Sequence, residues 1–167
     1  VNTLYNYLPN AMSLTDEDVY TDNAVHGIKW APDQRAHGVW EPTQFSWDGE
    51  YEWIRRANII FANIDQVEGL SDAQRNNYLG QTYFFRALVY FDLIKQFGDV
   101  PYTTQPLALS ELDDVVRNDW KEIYDHVMED YDNAIAMVPA TSELGRVNKA
   151  VALGYKARAA LYFANPD

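Results

Sequence analysis

The fold is decided by residues 71–101, which read SDAQRNNYLGQTYFFRALVYFDLIKQFGDVP. Ser71, with Gln74 three positions later, forms the pattern of a capping box, which starts a helix. An apolar stripe at helical spacing follows, made of Leu79, Tyr83, Ala87, Tyr90, Ile94 and Phe97. Gly98 suits a left-handed C-terminal cap, and Pro101 cannot extend a helix. The stretch therefore predicts one long helix that ends at Gly98.

The same spacing predicts helices on both sides of this stretch. Residues 47–66 carry one face made of Trp47, Tyr51, Ile54, Asn58 and Phe61, and Gly69 offers a stop. Residues 1–12 predict a shorter helix, and residues 15–20 predict a weaker one. Residues 21–46 contain Gly27, Pro32, Gly38 and Pro42 with little periodicity, which predicts a long irregular loop.

Two further helices are predicted in the second half of the chain. Asn118 is the predicted cap of a helix that Pro139 closes, and its stripe is made of Trp120, Tyr124, Val127, Tyr131, Ala134 and Val138. Asn148 is the predicted cap of a helix that runs to about Ala164. Because alternating strand patterns are nearly absent, we predict an all-α fold.

An internal repeat relates the second and fourth of the long helices. Tyr83, Arg86, Ala87, Tyr90 and Phe91 recur 72 positions later as Tyr155, Arg158, Ala159, Tyr162 and Phe163. This pattern is typical of antiparallel helix pairs in which each pair covers an apolar face of its neighbour. We therefore predict a tetratricopeptide-like architecture in which residues 1–167 form a single α-helical domain.

Composition limits the classes of function. The chain has 167 residues, of which 47% are apolar, so it can bury a core. Lys and Arg number 13 and Asp and Glu number 25, and the net charge of −12 disfavours nucleic acid and anionic membrane surfaces as partners. The absence of cysteine excludes a disulfide framework and a thiolate nucleophile. No apolar run approaches the ~20 residues of a membrane span.

Three ordered segments carry a resemblance to a known family. They are residues 51–58 (YEWIRRAN), residues 81–93 (QTYFFRALVYFDL) and residues 97–101 (FGDVP). Arg117, residues 130–134, Pro139, and residues 145–149 leading into residues 156–158 continue the match in order. Over most of residues 13–164 the chain thus resembles the N-terminal half of SusD/RagB-type glycan-binding lipoproteins.

The resemblance implies a function as well as a fold. Family members are lipid-anchored on the outer face of a Gram-negative outer membrane, cover a SusC-like TonB-dependent transporter, and capture oligosaccharides without catalysis. This chain resembles only the N-terminal part of such a protein, and it lacks the lipidated cysteine. We therefore expect a non-catalytic cell-surface protein that binds starch-type glycans, with contact to the membrane only through an anchor absent from this chain.

The candidate ligand-binding residues lie in the long loop of residues 21–46. Trp30 and Trp40 fall outside any helical stripe, and polar side chains lie near them in sequence: Asp22, Asn23, Asp33 and Arg35. A sugar ring has apolar C–H faces and hydroxyl edges, so an aromatic plate edged by carboxylates, amides and arginine suits it. Stacking that removes some 50–80 Å² of apolar surface would contribute roughly 1–2 kcal/mol per ring. The alternative is that both indoles anchor the loop to the helices.

Other candidate sites have structural explanations. Asn58 must bond a backbone group or an arginine, and Arg86 and Arg158 are expected to stack on tyrosine rings and pair with carboxylates. The three histidines share no ligand spacing, and no phosphate loop, dinucleotide fingerprint or nucleophile signature predicts a cofactor. Two alternatives to glycan capture stay open: a helical scaffold that docks on the transporter without touching sugar, and a glycoside hydrolase with two apposed carboxylates.

Overall fold

The computed structural model describes residues 1–9 and 46–164. The chain divides into two units, one made of Val1–Tyr5 and Asp48–Asp167 and the other of Asn6–Trp47. Within the described residues, the first unit contains four α-helices, α1 (Asp48–Asn63), α2 (Asp72–Phe97), α3 (Trp120–Met137) and α4 (Lys149–Phe163). Short 3-10 helices span Asn2–Tyr7, Ile64–Gln66 and Leu109–Asp114, and the described residues contain no strand.

Successive helices run antiparallel, as side-chain contacts along their lengths show. Phe61 of α1 packs on Tyr83 of α2 while Arg75, earlier in α2, bonds the carbonyl of Ile64. The two ends of α2 likewise meet opposite ends of α3, because Gly80 lies against Val138 and Asp99 bonds the amide of Trp120. The prediction of an all-α fold built from antiparallel helix pairs is confirmed.

The internal repeat corresponds to a structural relation. Helices α2 and α4 run parallel, because Phe84 packs on Tyr155 and Phe91 packs on both Tyr162 and Phe163. Of the repeated aromatic residues of α2, Phe91 therefore meets its repeat counterpart across the α2–α4 contact, whereas Tyr83 packs on Phe61 and Tyr90 on Tyr102.

Helix α2 is the centre of the core. Thirteen of its 26 residues are buried, on all sides of the helix, and Ala87 and Tyr90 are fully shielded from solvent. The predicted capping box at its start is confirmed, since the Ser71 hydroxyl accepts from the Gln74 amide. Its end is also as predicted, because Gly98 adopts a φ of 69° and its amide donates to the carbonyl of Ile94. A non-glycine residue rarely adopts this left-handed φ.

The predicted cap of α3 is wrong by one residue. Asp119 caps the helix, and its carboxylate accepts from the Lys121 amide at 2.7 Å. Asn118 instead stabilises the connection between α2 and α3. Its backbone amide donates to the Val100 carbonyl, and its side-chain Oδ1 accepts from the Tyr102 backbone amide. Both residue types cap helices well, so the periodic pattern could not choose between neighbours.

The remaining boundaries follow the sequence closely. Asn148 caps α4 through a bond from the Val151 amide, as predicted. Helix α1 ends at Asn63, earlier than the predicted 66, and continues as the 3-10 helix Ile64–Gln66. The predicted N-terminal helix is the 3-10 helix Asn2–Tyr7 within the described part. The predicted helix near 15–20 lies outside the described residues.

One buried hydroxyl group yields a stability prediction. Tyr131 of α3 is fully buried with its ring against Phe84, and its hydroxyl has no hydrogen-bond partner among the described residues. We expect Tyr131→Phe to raise the free energy of unfolding by about 1 kcal/mol, because the ring packing stays and an unsatisfied polar atom is removed. Urea unfolding followed by circular dichroism measures the change.

The matched control is Tyr90→Phe. The Tyr90 hydroxyl donates to the Thr103 carbonyl and accepts from the Thr103 amide at 2.8 Å. Its removal leaves both backbone groups without that partner, so this variant should lose about 1–2 kcal/mol. Equal losses in the two variants would contradict the assignment of an unpaired Tyr131 hydroxyl.

Candidate functional site

The six predicted ligand-binding residues lie outside the described residues: Asp22, Asn23, Trp30, Asp33, Arg35 and Trp40. Their arrangement therefore stays a prediction. The described part contains the four helices α1 to α4, which we call the helical frame, and other aromatic rings that could bind a sugar in place of Trp30 and Trp40. Its geometry decides which of those other rings are engaged in packing.

The best-defined polar site of the frame is a buried ion pair. Arg86 of α2 donates from Nε and Nη2 to the two carboxylate oxygens of Asp130 on α3, both at 2.7 Å. Its guanidinium also lies over the rings of Phe61 and Tyr83, at 4.6 and 5.5 Å from their centroids. The prediction that Arg86 stacks on aromatic rings and pairs with a carboxylate is confirmed.

Burial and charge act in opposite directions on this pair. Burial alone would lower the pKa of Arg86, but the hydrogen bond and the negative charge of Asp130 raise it. Burial also raises the pKa of Asp130, and the hydrogen bond and charge of Arg86 oppose that rise. We take the pair as ionised at neutral pH because both carboxylate oxygens accept from the guanidinium in a bidentate arrangement.

Asn58 extends the network to α1 and to the connection before α3. Its Oδ1 faces Arg86 Nη1 at 3.4 Å, and its Nδ2 donates to the Thr103 carbonyl at 3.0 Å. The predicted structural role of Asn58 is therefore confirmed. Because Tyr90 also bonds Thr103, both α1 and α2 bond the same residue of the connection between α2 and α3. The side chains of Arg86, Asp130 and Asn58 are buried, so the network joins α1, α2 and α3 and has a structural role.

The faces of several large rings in the described part are already covered. Trp53 lies under the guanidinium of Arg56 at 4.5 Å, and Trp120 stacks on Phe163 at 5.2 Å. Tyr102 stacks on His126 at 4.3 Å with an angle of 5° between the rings. A ring whose face is occupied in this way offers less surface to a sugar. One face of each of these three rings is therefore not available to a ligand.

The described residues contain neither a candidate metal cluster nor a candidate membrane-spanning helix. No group of three or more His, Asp or Glu side chains in residues 1–9 and 46–164 could hold a metal ion. Among the same residues, no helix has the length and apolar character needed to cross a membrane.

Sequence reasoning missed Asp130 as the partner of Arg86. A signal was present, because Asp130 follows Val127 by three positions and therefore falls on the buried face of α3, between residues of the apolar stripe. A carboxylate on such a face requires a cation. The residue that supplies it lies 44 positions away, which periodicity within one helix cannot reveal.

The fold and this frame define an all-α protein of helix pairs, and comparison with known proteins identifies its class. A family model described as SusD-like, starch-binding and associating with the outer membrane matches residues 1–161. The chain belongs to this SusD-like family.

Individual relatives agree with the family match. SusD-like protein P25 of Formosa agariphila is 32% identical over 107 residues, which are 62% of this chain and 20% of the relative. SusD-like protein P38 of the same organism is 32% identical over 118 residues, 70% of this chain and 22% of the relative. The chain therefore spans about a fifth of the length of these curated relatives.

Solved structures show the same fold. A SusD-like protein from Bacteroides fragilis superposes with a TM-score of 0.81 at 26% identity, over 97% of this chain and 33% of that one. A laminarin-binding SusD-like protein superposes with a TM-score of 0.66 at 30% identity, over 70% of this chain and 26% of that one. None of these four relatives bears the name of an enzyme.

Proposed function

We propose that the full-length protein is a non-catalytic glycan-binding protein of the outer cell surface. The family match over residues 1–161 carries this proposal, because the family is described as starch-binding and associated with the outer membrane. The similar structure named as laminarin-binding supports an oligosaccharide or polysaccharide ligand. The net charge of −12 suits a neutral polymer better than a phosphate backbone.

The sugar platform of the proposal consists of Trp30 and Trp40, edged by Asp22, Asn23, Asp33 and Arg35. Two observations support it. The sequence places these indoles in a segment without helical periodicity, and Trp53, Trp120 and Tyr102 each have one ring face occupied by a neighbouring side chain. Each loop indole would stack on one sugar ring, and the polar neighbours would bond its hydroxyls.

The proposal extends to a partner and a location. The full-length protein is anchored to the outer membrane by an N-terminal lipid, faces the exterior, and delivers its glycan to a SusC-like TonB-dependent transporter. Weak binding per contact suits this role, because a polymer offers many equivalent sites and rebinding raises retention. The alternative is a scaffold that docks on the transporter and touches no sugar.

The test is a titration of full-length protein with a glycan panel that includes laminarin and starch oligosaccharides. We expect Trp30→Ala and Trp40→Ala each to raise the dissociation constant by about 5- to 30-fold, which corresponds to the roughly 1–2 kcal/mol of one stacked ring. Calorimetry measures the affinity, and circular dichroism confirms that helicity is unchanged.

Trp120→Phe is the matched control, because Trp120 already stacks on Phe163 and should not affect the ligand. Unchanged affinity in both loop variants would remove the loop from the site. If the unsubstituted protein co-purifies with a TonB-dependent transporter but no glycan in the panel binds, the scaffold alternative is favoured. Release of reducing ends from any glycan would indicate a hydrolase instead.

A further inference from the structure

The first part of the connection between α2 and α3 is held in place by side chains of α1. Residues 101–107 form no helix or strand, yet four of their carbonyl groups accept hydrogen bonds from α1. Tyr51 bonds Pro101, Asn58 bonds Thr103 and Gln105, and Arg55 bonds Leu107. The course of this segment is therefore fixed by its own backbone rather than by burial of its side chains.

Helix α3 contacts the same segment through His126. The imidazole of His126 stacks on the ring of Tyr102 with 4.3 Å between the ring centroids and 5° between the planes. Tyr102 also packs on Tyr90 of α2, with a centroid distance of 4.8 Å. The ring of Tyr102 thus joins the segment to both α2 and α3.

The contact made by His126 differs from the others in its chemistry. Among the side chains named above, only His126 belongs to a type that changes charge between about pH 5 and 8. Burial raises the pKa of Tyr51, Tyr90 and Tyr102, so these rings stay uncharged over that range. The side chain of His126 is 37% exposed, so it can exchange protons with solvent.

The charges on α3 near His126 favour its protonated form. Its Nδ1 lies 3.7 Å from a carboxylate oxygen of Glu129. Burial raises the pKa of Asp130, and the charge of His126 is among the influences that lower it. Glu122 and Asp125 complete the charged residues within four positions of His126 on α3, and all four are acidic. A proton on the imidazole therefore meets negative charge along its own helix.

The other two elements do not oppose that effect. The connection presents the neutral ring of Tyr102, whose face attracts a cation. Helix α2 contributes the ring of Tyr90 and the guanidinium of Arg86, and both carboxylate oxygens of Asp130 already balance that guanidinium. Protonation of His126 should therefore strengthen its contact with Tyr102.

We propose that His126 is a pH-sensitive contact that controls how firmly the connection between α2 and α3 is held. Acidification charges the imidazole and tightens its hold on Tyr102, and a rise in pH weakens that hold. The segment controlled in this way leads into the 3-10 helix Leu109–Asp114, where Leu112 is 52% exposed. This inference does not depend on sugar binding.

The experiment is hydrogen exchange of the full-length protein followed by mass spectrometry at about pH 5.5 and about pH 8, with rates corrected for the intrinsic effect of pH. The amides of Tyr102 and Thr103 report opening of the segment, because they donate to Asn118 Oδ1 and to the Tyr90 hydroxyl. We expect their protection to be about 2- to 5-fold greater at the acidic pH, the effect of one partly exposed cation–π contact.

His126→Phe is the matched variant, because phenylalanine keeps a ring against Tyr102 but cannot be charged. Its protection should be the same at both pH values. A pH effect in the unsubstituted protein that is no larger than in His126→Phe, or that has the opposite sign, would overturn the proposal. Amides of residues 152–160 in α4 are the internal control, and an equal pH effect there would mean that global stability responds, which also overturns it. If His126→Phe does not fold, Glu129→Gln should reduce the pH effect, and an unchanged effect would contradict the proposal.

Discussion

Replacing Arg86 by methionine is expected to lower the free energy of unfolding by about 3–5 kcal/mol. Methionine keeps much of the side-chain volume but leaves the Asp130 carboxylate buried, with only 4% of that residue exposed and without the two 2.7 Å bonds it receives. An isolated buried carboxylate has a large desolvation cost. Denaturant unfolding followed by circular dichroism measures the loss.

Two additional variants test that explanation. The double variant Arg86→Met, Asp130→Leu should recover a large part of the lost stability, because neither charge remains buried. Asp132→Asn is the control, since Asp132 pairs with Lys156 at the surface with 63% of its side chain exposed, and it should change stability by less than about 1 kcal/mol. If the double variant is as unstable as Arg86→Met, the desolvated carboxylate is not the cause.

Gly80→Ala is expected to lower the free energy of unfolding by about 2 kcal/mol, although alanine favours a helix. The added Cβ would lie 2.8 Å from Val138 Cγ1 and 2.9 Å from both Met137 Cβ and the Val138 backbone nitrogen. A backbone atom cannot move aside as a side-chain tip can, so α2 and α3 must separate. Such overpacking costs about 1–3 kcal/mol and outweighs the gain in helix propensity.

Gly49→Ala is the control for this prediction. Gly49 lies in the first turn of α1, and a Cβ added there would meet nothing within 4 Å. We expect this variant to gain about 0.4–1 kcal/mol through the smaller conformational entropy of its unfolded chain. Thermal unfolding of both variants gives the comparison, and a stabilised Gly80→Ala protein would show that α2 and α3 are not in close contact at this point.

The sequence predicted the helices well because its signals act within a few residues. The capping box at Ser71 and Gln74, the left-handed stop at Gly98 and the cap at Asn148 each depend on local hydrogen bonds, and all three are present. The cap of α3 failed because Asn118 and Asp119 are adjacent residues with the same capping ability. Asn118 does not cap α3 because it bonds the backbone groups of Val100 and Tyr102, which lie 18 and 16 positions before it in the chain.

The sequence did not identify which residues contact each other when they lie far apart in the chain. The need of Arg86 for a carboxylate could be inferred from its place among tyrosines, but the identity of Asp130 required the packing of α3 on α2. The close approach at Gly80 is similar, because no pattern in one helix reports which residue of another helix faces it. The candidate sugar residues lie outside the described residues, so they stay predictions.

The attachment of Tyr5 has a mechanical consequence. Its hydroxyl donates to Gln81 on α2 and accepts from the Val147 amide at 3.1 Å, and its ring packs edge-on against Phe85. Residues 142 positions apart are thus joined through one side chain. A displacement of the first 3-10 helix would therefore act on α2 and on the turn before α4 together, because the Tyr5 side chain is bonded to both.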